Sequence, residues 1–326
     1  MSAMTLVEAI CLALDHEMKK DKNVLVLGED VGIDGGVFRA TSGLIEKYGA
    51  ERVIDTPLAE TLIIGHAIGL ATQGFKTVAE IQFMGFIYPG LDHILNHASR
   101  LRNRTRGRLT CPLVVRTPFG TGIHAPEHHS ESTEAIFAHI PGLKVVVPSS
   151  PQRAYGLLLA ALRDPDPVIF LEPTRIYRAI KEDVKNDGKA LPLGKCFVLR
   201  EGEDLTLLTW GAMIKETLQA ADELEEEGLS VEVIDVATLK PLDLETILAS
   251  VQKTGRCVIV HEAALTGGVG AEIAARLADE GLMSLIAPVK RVCGYDTVMP
   301  LARLEKLYLP SVDRILEAAH DVLAYE

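Results

Sequence analysis

Short apolar runs alternate with longer amphipathic segments along the chain. Runs such as Val24–Leu27 and Val168–Leu171 are apolar throughout, which is typical of strands buried on both faces. The segments between such runs repeat apolar residues at a helical spacing. Strands that alternate with helices in this way indicate parallel βαβ units. The sequence therefore predicts an α/β fold built on a doubly wound parallel sheet.

Two series of this pattern follow each other along the chain. The polar segment Lys181–Gly188 separates them. We predict a first α/β domain over residues 1–180, a linker over residues 181–203 and a smaller α/β domain over residues 204–326. A length of 326 residues suits two domains.

The helix predicted after the strand Val53-Ile54 carries the first candidate for chemistry. Thr56 is the expected N-cap of this helix, and Pro57 is expected in its first turn. Glu60 then lies among apolar neighbours at the carboxyl end of a strand, where ligands of open α/β sheets usually bind. The alternative is that Glu60 only complements the positive end of the helix dipole.

Aromatic residues gather after the next predicted strand, Thr77–Ile81. Phe83, Phe86 and Tyr88 come directly after it, although only 5% of the residues are aromatic. They are either ordinary core residues or an apolar wall for a flat ring.

A histidine-rich loop follows the predicted strand Leu113–Arg116. Three of the ten histidines, His124, His128 and His129, lie within six residues of each other. Such a cluster suggests proton transfer or metal ligation. Its spacing matches no HExxH zinc motif, so proton transfer is the favoured interpretation.

Charge and cysteine content narrow the classes of function. A formal net charge of −12 argues against a general nucleic-acid binder, which needs a basic face. The five cysteines are scattered and form no CxxC pair, which indicates reduced thiols and a cytoplasmic protein. No window approaches the roughly 18 apolar residues of a membrane span, and the N-terminal segment lacks the features of a signal or transit peptide.

Several ordered motifs together resemble one protein family. The resemblance spans nearly the whole chain and rests on Asp55–Glu60, Glu80–Phe83 and His129–Ser132, with further matches at Gly28–Gly32, Gly36–Arg39, Pro141–Lys144, Pro167–Phe170 and Lys306–Pro310. The family is the beta subunit of the thiamin-diphosphate-dependent decarboxylating component of 2-oxoacid dehydrogenase complexes. It implies an N-terminal pyrimidine-binding domain and a C-terminal transketolase-type domain.

The resemblance also implies roles for particular residues. Glu60 would hydrogen-bond the aminopyrimidine ring of thiamin diphosphate from a dry pocket that raises its pKa, and Phe83 and Phe86 would wall that ring with Leu58 beside it. His129 would be the proton donor near the site where the lipoyl group arrives, with His128 as the runner-up.

Partners and cations follow from the same resemblance. An alpha subunit would complete an α2β2 heterotetramer and hold the diphosphate with its Mg²⁺. The acyl group would pass from the 2-oxoacid to lipoamide of the acyltransferase core. A structural cation, K⁺, would be bound in part by backbone carbonyls at Leu113, Ala161, Asp164 and Asp166.

The sequence leaves the substrate open. Pyruvate and branched-chain 2-oxoacids are expected first, and the beta subunit of an acetoin dehydrogenase is the alternative. Hypotheses from other classes are a metal-dependent hydrolase that uses His124, His128 and His129, or a non-catalytic structural subunit.

The histidine-rich loop departs from the usual family pattern. Glu127 and Glu131 add negative charge close to His129. We therefore expect these carboxylates either to raise the pKa of His129 or to alter which 2-oxoacid is selected.

Overall fold

The computed structural model describes residues 3–325, and these form two units. The first unit is Met1–Phe119 with Ile136–Leu193, and the second is Gly120–Ala135 with Gly194–Glu326. The histidine-rich loop therefore belongs to the second unit, although it lies inside the first domain along the sequence. The domain boundaries at residues 180 and 204 stay a prediction.

The first unit alternates strands and helices as the sequence predicts. Its elements are β1 (Ala3–Met4), α1 (Leu6–Lys20), β2 (Val24–Gly28), α2 (Leu44–Tyr48), β3 (Val53–Asp55), α3 (Glu60–Thr72), β4 (Lys76–Glu80), α4 (Leu91–His93), α5 (Leu101–Arg104), β5 (Leu113–Phe119), α6 (Glu134–His139, which begins in the second unit), β6 (Lys144–Val146), α7 (Pro151–Arg163), β7 (Val168–Pro173) and β8 (Glu182–Asp183).

A parallel sheet forms the centre of this unit. Its strands run in the order β6-β7-β5-β4-β2-β3, and each neighbouring pair is parallel. All residues of β2, β5 and β7 are buried, which explains the apolar runs Val24–Leu27, Leu113–Val115 and Val168–Leu171 within them. Parallel strands end at the same edge of the sheet, so the residues that follow β2, β3 and β4 approach each other there.

The second unit is a smaller α/β unit. Its elements after the histidine-rich loop are β9 (Phe197–Arg200), β10 (Leu205–Thr209), α8 (Ile214–Glu226), β11 (Val231–Asp235), β12 (Thr238–Lys240), α9 (Leu244–Thr254), β13 (Cys257–Ala264), α10 (Val269–Glu280), β14 (Lys290–Gly294), α11 (Ala302–Tyr308) and α12 (Val312–Leu323).

Its five-stranded sheet has the order β14-β13-β10-β11-β9. Only β9 runs antiparallel to its neighbour. Buried residues of α8 and α12 pack against β10, β11 and β13 to form the core.

The N-terminal helix begins where the sequence indicates. The Thr5 hydroxyl accepts a hydrogen bond from the Glu8 amide at 3.4 Å, and the Glu8 carboxylate accepts one from the Thr5 amide at 2.7 Å. This is the capping box that the sequence Thr5-Leu-Val-Glu8 predicts, in which the amides of Thr5 and Glu8 find side-chain partners.

The start of α3 differs from the prediction. The helix begins at Glu60 with Ala59 at the N-cap position, so Thr56 and Pro57 lie outside it. The Thr56 amide instead donates to the carbonyl of Gly28 at 2.9 Å. Pairing with β2 extends the strand edge and delays the helix by three residues, which local sequence preferences do not show.

The helical spacing of Leu62, Ile63, Ala67 and Leu70 predicts that these residues share one apolar stripe. The structure buries Ile63 and Ala67 as predicted, together with Ile64, Ile68 and Ala71, whereas Leu62 is exposed.

The sequence predicts one continuous helix from Leu91 to Asn103, but in the structure this segment is interrupted. A 3-10 helix (Met84–Gly90) leads into α4, and a π-helical segment (Ile94–Ala98) separates α4 from α5. Such π turns occur often at functional sites.

No helix within residues 3–325 has both the length and the apolar character needed to cross a bilayer. All five cysteines carry free thiols.

Two glycines with similar backbone angles allow a test of the packing in the first unit. Gly142 has φ +87°, and a Cβ there would lie 2.1 Å from the carbonyl oxygen of Ser99. Gly74 has φ +93°, but a Cβ there would meet nothing within 4 Å. We expect Gly74→Ala to lower the free energy of unfolding by about 1–2 kcal/mol through backbone strain alone. Gly142→Ala should lose roughly 1–3 kcal/mol more because of the overlap with Ser99.

Denaturant midpoints of the two variants and the parent chain measure this difference. Equal losses for the two variants would contradict the close approach of Gly142 to Ser99.

Candidate active site

Glu60 lies at the first position of α3, at the edge where the parallel strands end. Its side chain is half-buried. The residues between β3 and Glu60 are held by hydrogen bonds to the glycine-rich loop after β2. Asp55 accepts from the amides of Gly32 at 2.6 Å and Ile33 at 3.1 Å. Asp55 therefore shapes the loop, and Glu60 keeps its carboxylate for other partners.

A second carboxyl group, Glu29, faces this position and was not singled out from the sequence. It is 6% exposed, and burial, then the negative charges of Glu60 and Asp30, raise its pKa. The Ala59 amide donates to the Glu29 carboxylate, whereas Oε1 has no hydrogen-bond partner within residues 3–325. The sequence signal was the pair of acids in a glycine-rich loop directly after β2.

These two carboxyl groups suit a ligand that carries basic nitrogen. A buried carboxyl oxygen without a partner is unfavourable unless a donor reaches it. The residues present therefore fit the aminopyrimidine half of thiamin diphosphate, which offers ring and amino nitrogens.

The predicted aromatic residues form a contiguous cluster. The rings of Phe83 and Phe86 meet edge to face with centroids 5.8 Å apart, and Phe38 lies 5.6 Å from Phe83. Phe38 also contacts Tyr177 at 5.1 Å. Phe83 and Phe86 are thus in direct contact, and their role as a wall for a flat ring stays a prediction.

This aromatic cluster is connected to the helix that carries Glu60. The Thr61 hydroxyl donates to the carbonyl of Pro89 at 3.0 Å. A Cβ at Gly90 would lie 2.8 Å from Ile64 and 3.3 Å from the carbonyl oxygen of Glu60, so only glycine lets the 3-10 helix approach α3 this closely.

Leu58 is the predicted site residue that the structure leaves outside this cluster. Its side chain is 81% exposed. The described residues alone thus do not form the dry pocket expected around Glu60.

A buried ionic network lies at the same sheet edge. Arg116 on β5 is 1% exposed and donates to both oxygens of Glu172 on β7, at 2.6 and 3.1 Å, and to Glu80 on β4 at 2.8 Å. The hydroxyl of Tyr177 donates to Glu172 at 2.6 Å. Burial outweighs the attraction of Arg116 and raises the pKa of Glu80. The charged groups of this network bond to each other, so the network supports the structure of the sheet edge.

The histidine-rich loop is anchored within the second unit. Glu262, buried at the end of β13, accepts from the Thr121 hydroxyl at 3.0 Å and the Ser132 hydroxyl at 3.5 Å. The Gly120 amide donates to the carbonyl of Glu131 at 3.0 Å, which closes the loop. Glu262 holds this loop in place, and no motif in the sequence marks it.

The side chains of the three histidines in this loop do not converge on one point. The rings of His128 and His129 lie 4.2 Å apart, whereas His124 Nδ1 contacts the Glu305 carboxylate at 3.2 Å. Within residues 3–325, the side chains close enough to share a metal ion are found elsewhere, at Asp92, His93 and His97.

The pKa of His129 moves opposite to the expectation. Burial and the neighbouring His128 lower it, and the opposing attraction of Glu127 is the smallest of these effects. Glu127 raises the pKa of His129 as expected, but burial of the imidazole and the adjacent His128 outweigh this effect and lower the pKa overall. The neutral form of His129 is therefore favoured at neutral pH.

A buried carboxyl group ends the same loop. Glu134 accepts from Trp210 Nε1 at 3.3 Å, and burial raises its pKa to about 7. His261 stacks on Trp210 with centroids 5.0 Å apart, and burial lowers its pKa to about 4. The single tryptophan of the chain was the only sequence sign of this cluster.

The predicted cation ligands lie around the loop between α7 and β7 and at the start of β5. The Asp164 amide donates to the carbonyl of Ala161 at 3.2 Å, and the Asp166 amide to the Asp164 carboxylate at 2.9 Å. The carboxylates of Asp164 and Asp166 pair with Lys144 and Arg102. Any cation at these residues would therefore depend mainly on carbonyl oxygens.

Comparison with known proteins supports the predicted family. Residues 2–179 match the transketolase pyrimidine-binding domain, and residues 194–315 match the transketolase C-terminal domain. The chain is 50% identical over 325 residues to the pyruvate dehydrogenase E1 component subunit beta of Bacillus subtilis, with 100% of both chains covered. It is 50% identical over 315 residues to that of Acholeplasma laidlawii, covering 97% of this chain and 96% of the relative.

A solved structure described as a split-gene transketolase, inactive beta4 tetramer, has a TM-score of 0.81 at 26% identity and covers 99% of each chain. These matches confirm the predicted fold of two transketolase-type α/β domains.

The pKa of His129 provides a test of the loop geometry. We expect the pKa of His129 to lie below 6.5. His128→Gln should raise it, because a neighbouring positive charge is removed, and Glu127→Gln should lower it further, because an attractive charge is removed. NMR titration of the histidine ring protons measures both shifts. A pKa of His129 that is unmoved by either substitution would contradict the described contacts.

Proposed function

The chain belongs to the family of beta subunits of the thiamin-diphosphate-dependent decarboxylating component of 2-oxoacid dehydrogenase complexes, and from this we propose that it takes part in the oxidative decarboxylation of pyruvate. The observation that carries the proposal is the pairing of Glu60 with the buried Glu29 carboxyl group, within a domain of the pyrimidine-binding type. Thiamin diphosphate, when bound, supplies the carbanion-stabilising chemistry that decarboxylation needs.

Glu60 is the residue we propose to activate the cofactor. Its carboxyl group would share a proton with a ring nitrogen of the aminopyrimidine, which is a proton transfer of the general acid–base kind. Glu29 would accept a hydrogen bond from the other nitrogen donor of the aminopyrimidine. Its Oε1 atom would then gain the partner that it lacks within residues 3–325.

Phe83 and Phe86 would pack against the faces and edge of the pyrimidine ring. Their mutual contact and the approach of Gly90 to α3 support this role, since both keep the wall close to Glu60. Leu58, two residues before Glu60, would contact the same ring and lose its exposed apolar surface on binding.

His129 is the proposed proton donor when the acyl group passes to lipoamide of the acyltransferase core. Its lowered pKa makes its protonated form a stronger acid than an ordinary imidazolium. His128, in ring contact with it, remains the runner-up for the same role.

An alpha subunit is the proposed partner, in an α2β2 assembly. The relatives are named as subunit beta of an E1 component, which supports a second subunit here. That subunit would hold the diphosphate and Mg²⁺, since the glycine-rich segments of this chain include no complete GxGxxG motif. We also propose K⁺ at the carbonyls of Leu113, Ala161, Asp164 and Asp166.

The names of the relatives favour pyruvate over branched-chain 2-oxoacids and acetoin as the substrate.

Free thiols suit a reducing compartment, and we propose that the protein lies in the cytoplasm.

The contact of His124 with Glu305 argues against a hydrolase metal site built from the histidine-rich loop. A non-catalytic subunit would have no need for the Glu29 and Glu60 carboxyl pair.

Turnover with an artificial electron acceptor tests the substrate. The chain is co-expressed with an alpha subunit and assayed with pyruvate, 2-oxoisovalerate and acetoin, with and without thiamin diphosphate and Mg²⁺. We expect cofactor-dependent turnover, fastest with pyruvate. A well-folded complex that binds thiamin diphosphate but turns over none of the three would contradict the proposal.

Glu60→Gln tests the activating residue. The amide cannot share a proton with the ring nitrogen as the carboxyl group does, so we expect kcat to fall by about 100-fold or more while folding is retained. Glu46→Gln, on the exposed face of α2, is the matched control and should retain full activity. Near-normal decarboxylation by Glu60→Gln would contradict the role of Glu60 in activating the cofactor, whatever the substrate is.

A further inference from the structure

Three potential metal ligands lie together on the segment that follows the aromatic cluster. Asp92 and His93 belong to α4, and His97 belongs to the π-helical segment after it. We propose that Asp92, His93 and His97 form a binding site for a divalent transition-metal ion of the Zn²⁺ type. The proposal rests on these side chains alone and is independent of the decarboxylation proposed above.

The three side chains already converge on one point. One ligand atom from each, a carboxylate oxygen or an imidazole nitrogen, lies within 4.8 Å of the other two. The imidazole rings of His93 and His97 have centroids 5.5 Å apart and are inclined by 37°. An ion bound at about 2.0–2.2 Å from each ligand requires spacings of roughly 4 Å or less. Small side-chain rotations close the remaining gap.

The backbone brings the two histidines to one face. Residues four apart are neighbours on a helix surface, and a His pair at this spacing is a known arrangement for binding zinc. The predicted regular helix is replaced here by a π turn at Ile94–Ala98. A π turn contains one residue more than an α-helical turn. The side chains of Asp92 and His97, five residues apart, can therefore face the same point as His93.

Two neighbouring contacts orient the ligands before any ion arrives. Asn96 Nδ2 donates to Asp92 Oδ1 at 2.6 Å, which fixes the carboxylate and leaves its other oxygen available. A Cβ at Gly65 on α3 would lie 3.4 Å from His93 Nε2, so the ring of His93 packs against a residue without a side chain. Outer contacts of this kind typically raise metal affinity by about 10–100-fold.

The donor set determines which ions suit the site. Two imidazoles and one carboxylate favour Zn²⁺, Co²⁺, Ni²⁺ or Cu²⁺ over Mg²⁺ and Ca²⁺, which prefer oxygen ligands. Asp92 and His97 are exposed, so an ion can reach the site from solvent and keep water as its remaining ligand. The site therefore differs in chemistry from the Mg²⁺ expected with the diphosphate.

Metal titration of the full chain, without a histidine tag and after chelator treatment, tests the site. Calorimetry with Zn²⁺ should give one tight site per chain, and Co²⁺ should give visible absorption bands of a low-coordinate complex. His93→Gln and His97→Gln should each weaken binding by about tenfold or more. His139→Gln, an exposed helical histidine of the same unit, is the matched control and should bind as the parent does.

The histidine-rich loop provides the competing explanation. If His128→Gln removes the tight site while His97→Gln leaves it unchanged, the proposal is wrong and the ion belongs to the loop. Absence of tight binding in the parent chain, with its fold retained, also overturns it. Both outcomes leave the role of Glu60 untouched, because that role is measured by turnover.

Discussion

One buried guanidinium group holds the carboxyl edge of the first sheet in place. Arg116 lies on β5 and bonds carboxylates on both neighbouring strands, Glu172 on β7 and Glu80 on β4. Removing one partner from such a buried network typically costs about 3–5 kcal/mol, because the other charge is left unpaired. The strand ends, and the loops that leave them, are therefore fixed relative to each other. The aromatic cluster is connected to this edge. The hydroxyl of Tyr177 donates to Glu172, the ring of Tyr177 contacts Phe38, and Phe38 contacts Phe83.

Burial, more than neighbouring charge, sets the chemistry of the candidate groups. Glu29 has a raised pKa mainly because it is buried, and Glu60 adds to the effect. His129 has a lowered pKa for the same physical reason with the opposite sign, since its charged form is the protonated one. The sequence therefore indicates the direction in which Glu127 moves the pKa of His129, but not the net shift. The burial of the His129 side chain therefore affects its pKa more than the charged residues of the loop do.

Several candidate positions depend on residues far away in the sequence. The loop that carries His129 is held by Glu262, more than a hundred residues later. The negative charge of Glu60 acts on Glu29 across the edge formed by β2 and β3. Leu58 lies beside this edge with an exposed side chain.

Patterns in the sequence were sufficient to predict the α/β class, the alternation of strands and helices, the capping box at Thr5 and the family. These features depend on periodicity, local hydrogen bonds and ordered motifs, all of which lie within short stretches of chain. The folded chain was needed to show that α3 begins at Glu60, that Glu29 faces it and that a π turn brings His93 and His97 together. Pairing between distant strands, burial and helix contacts set these outcomes, and none of them leaves a local pattern in the sequence.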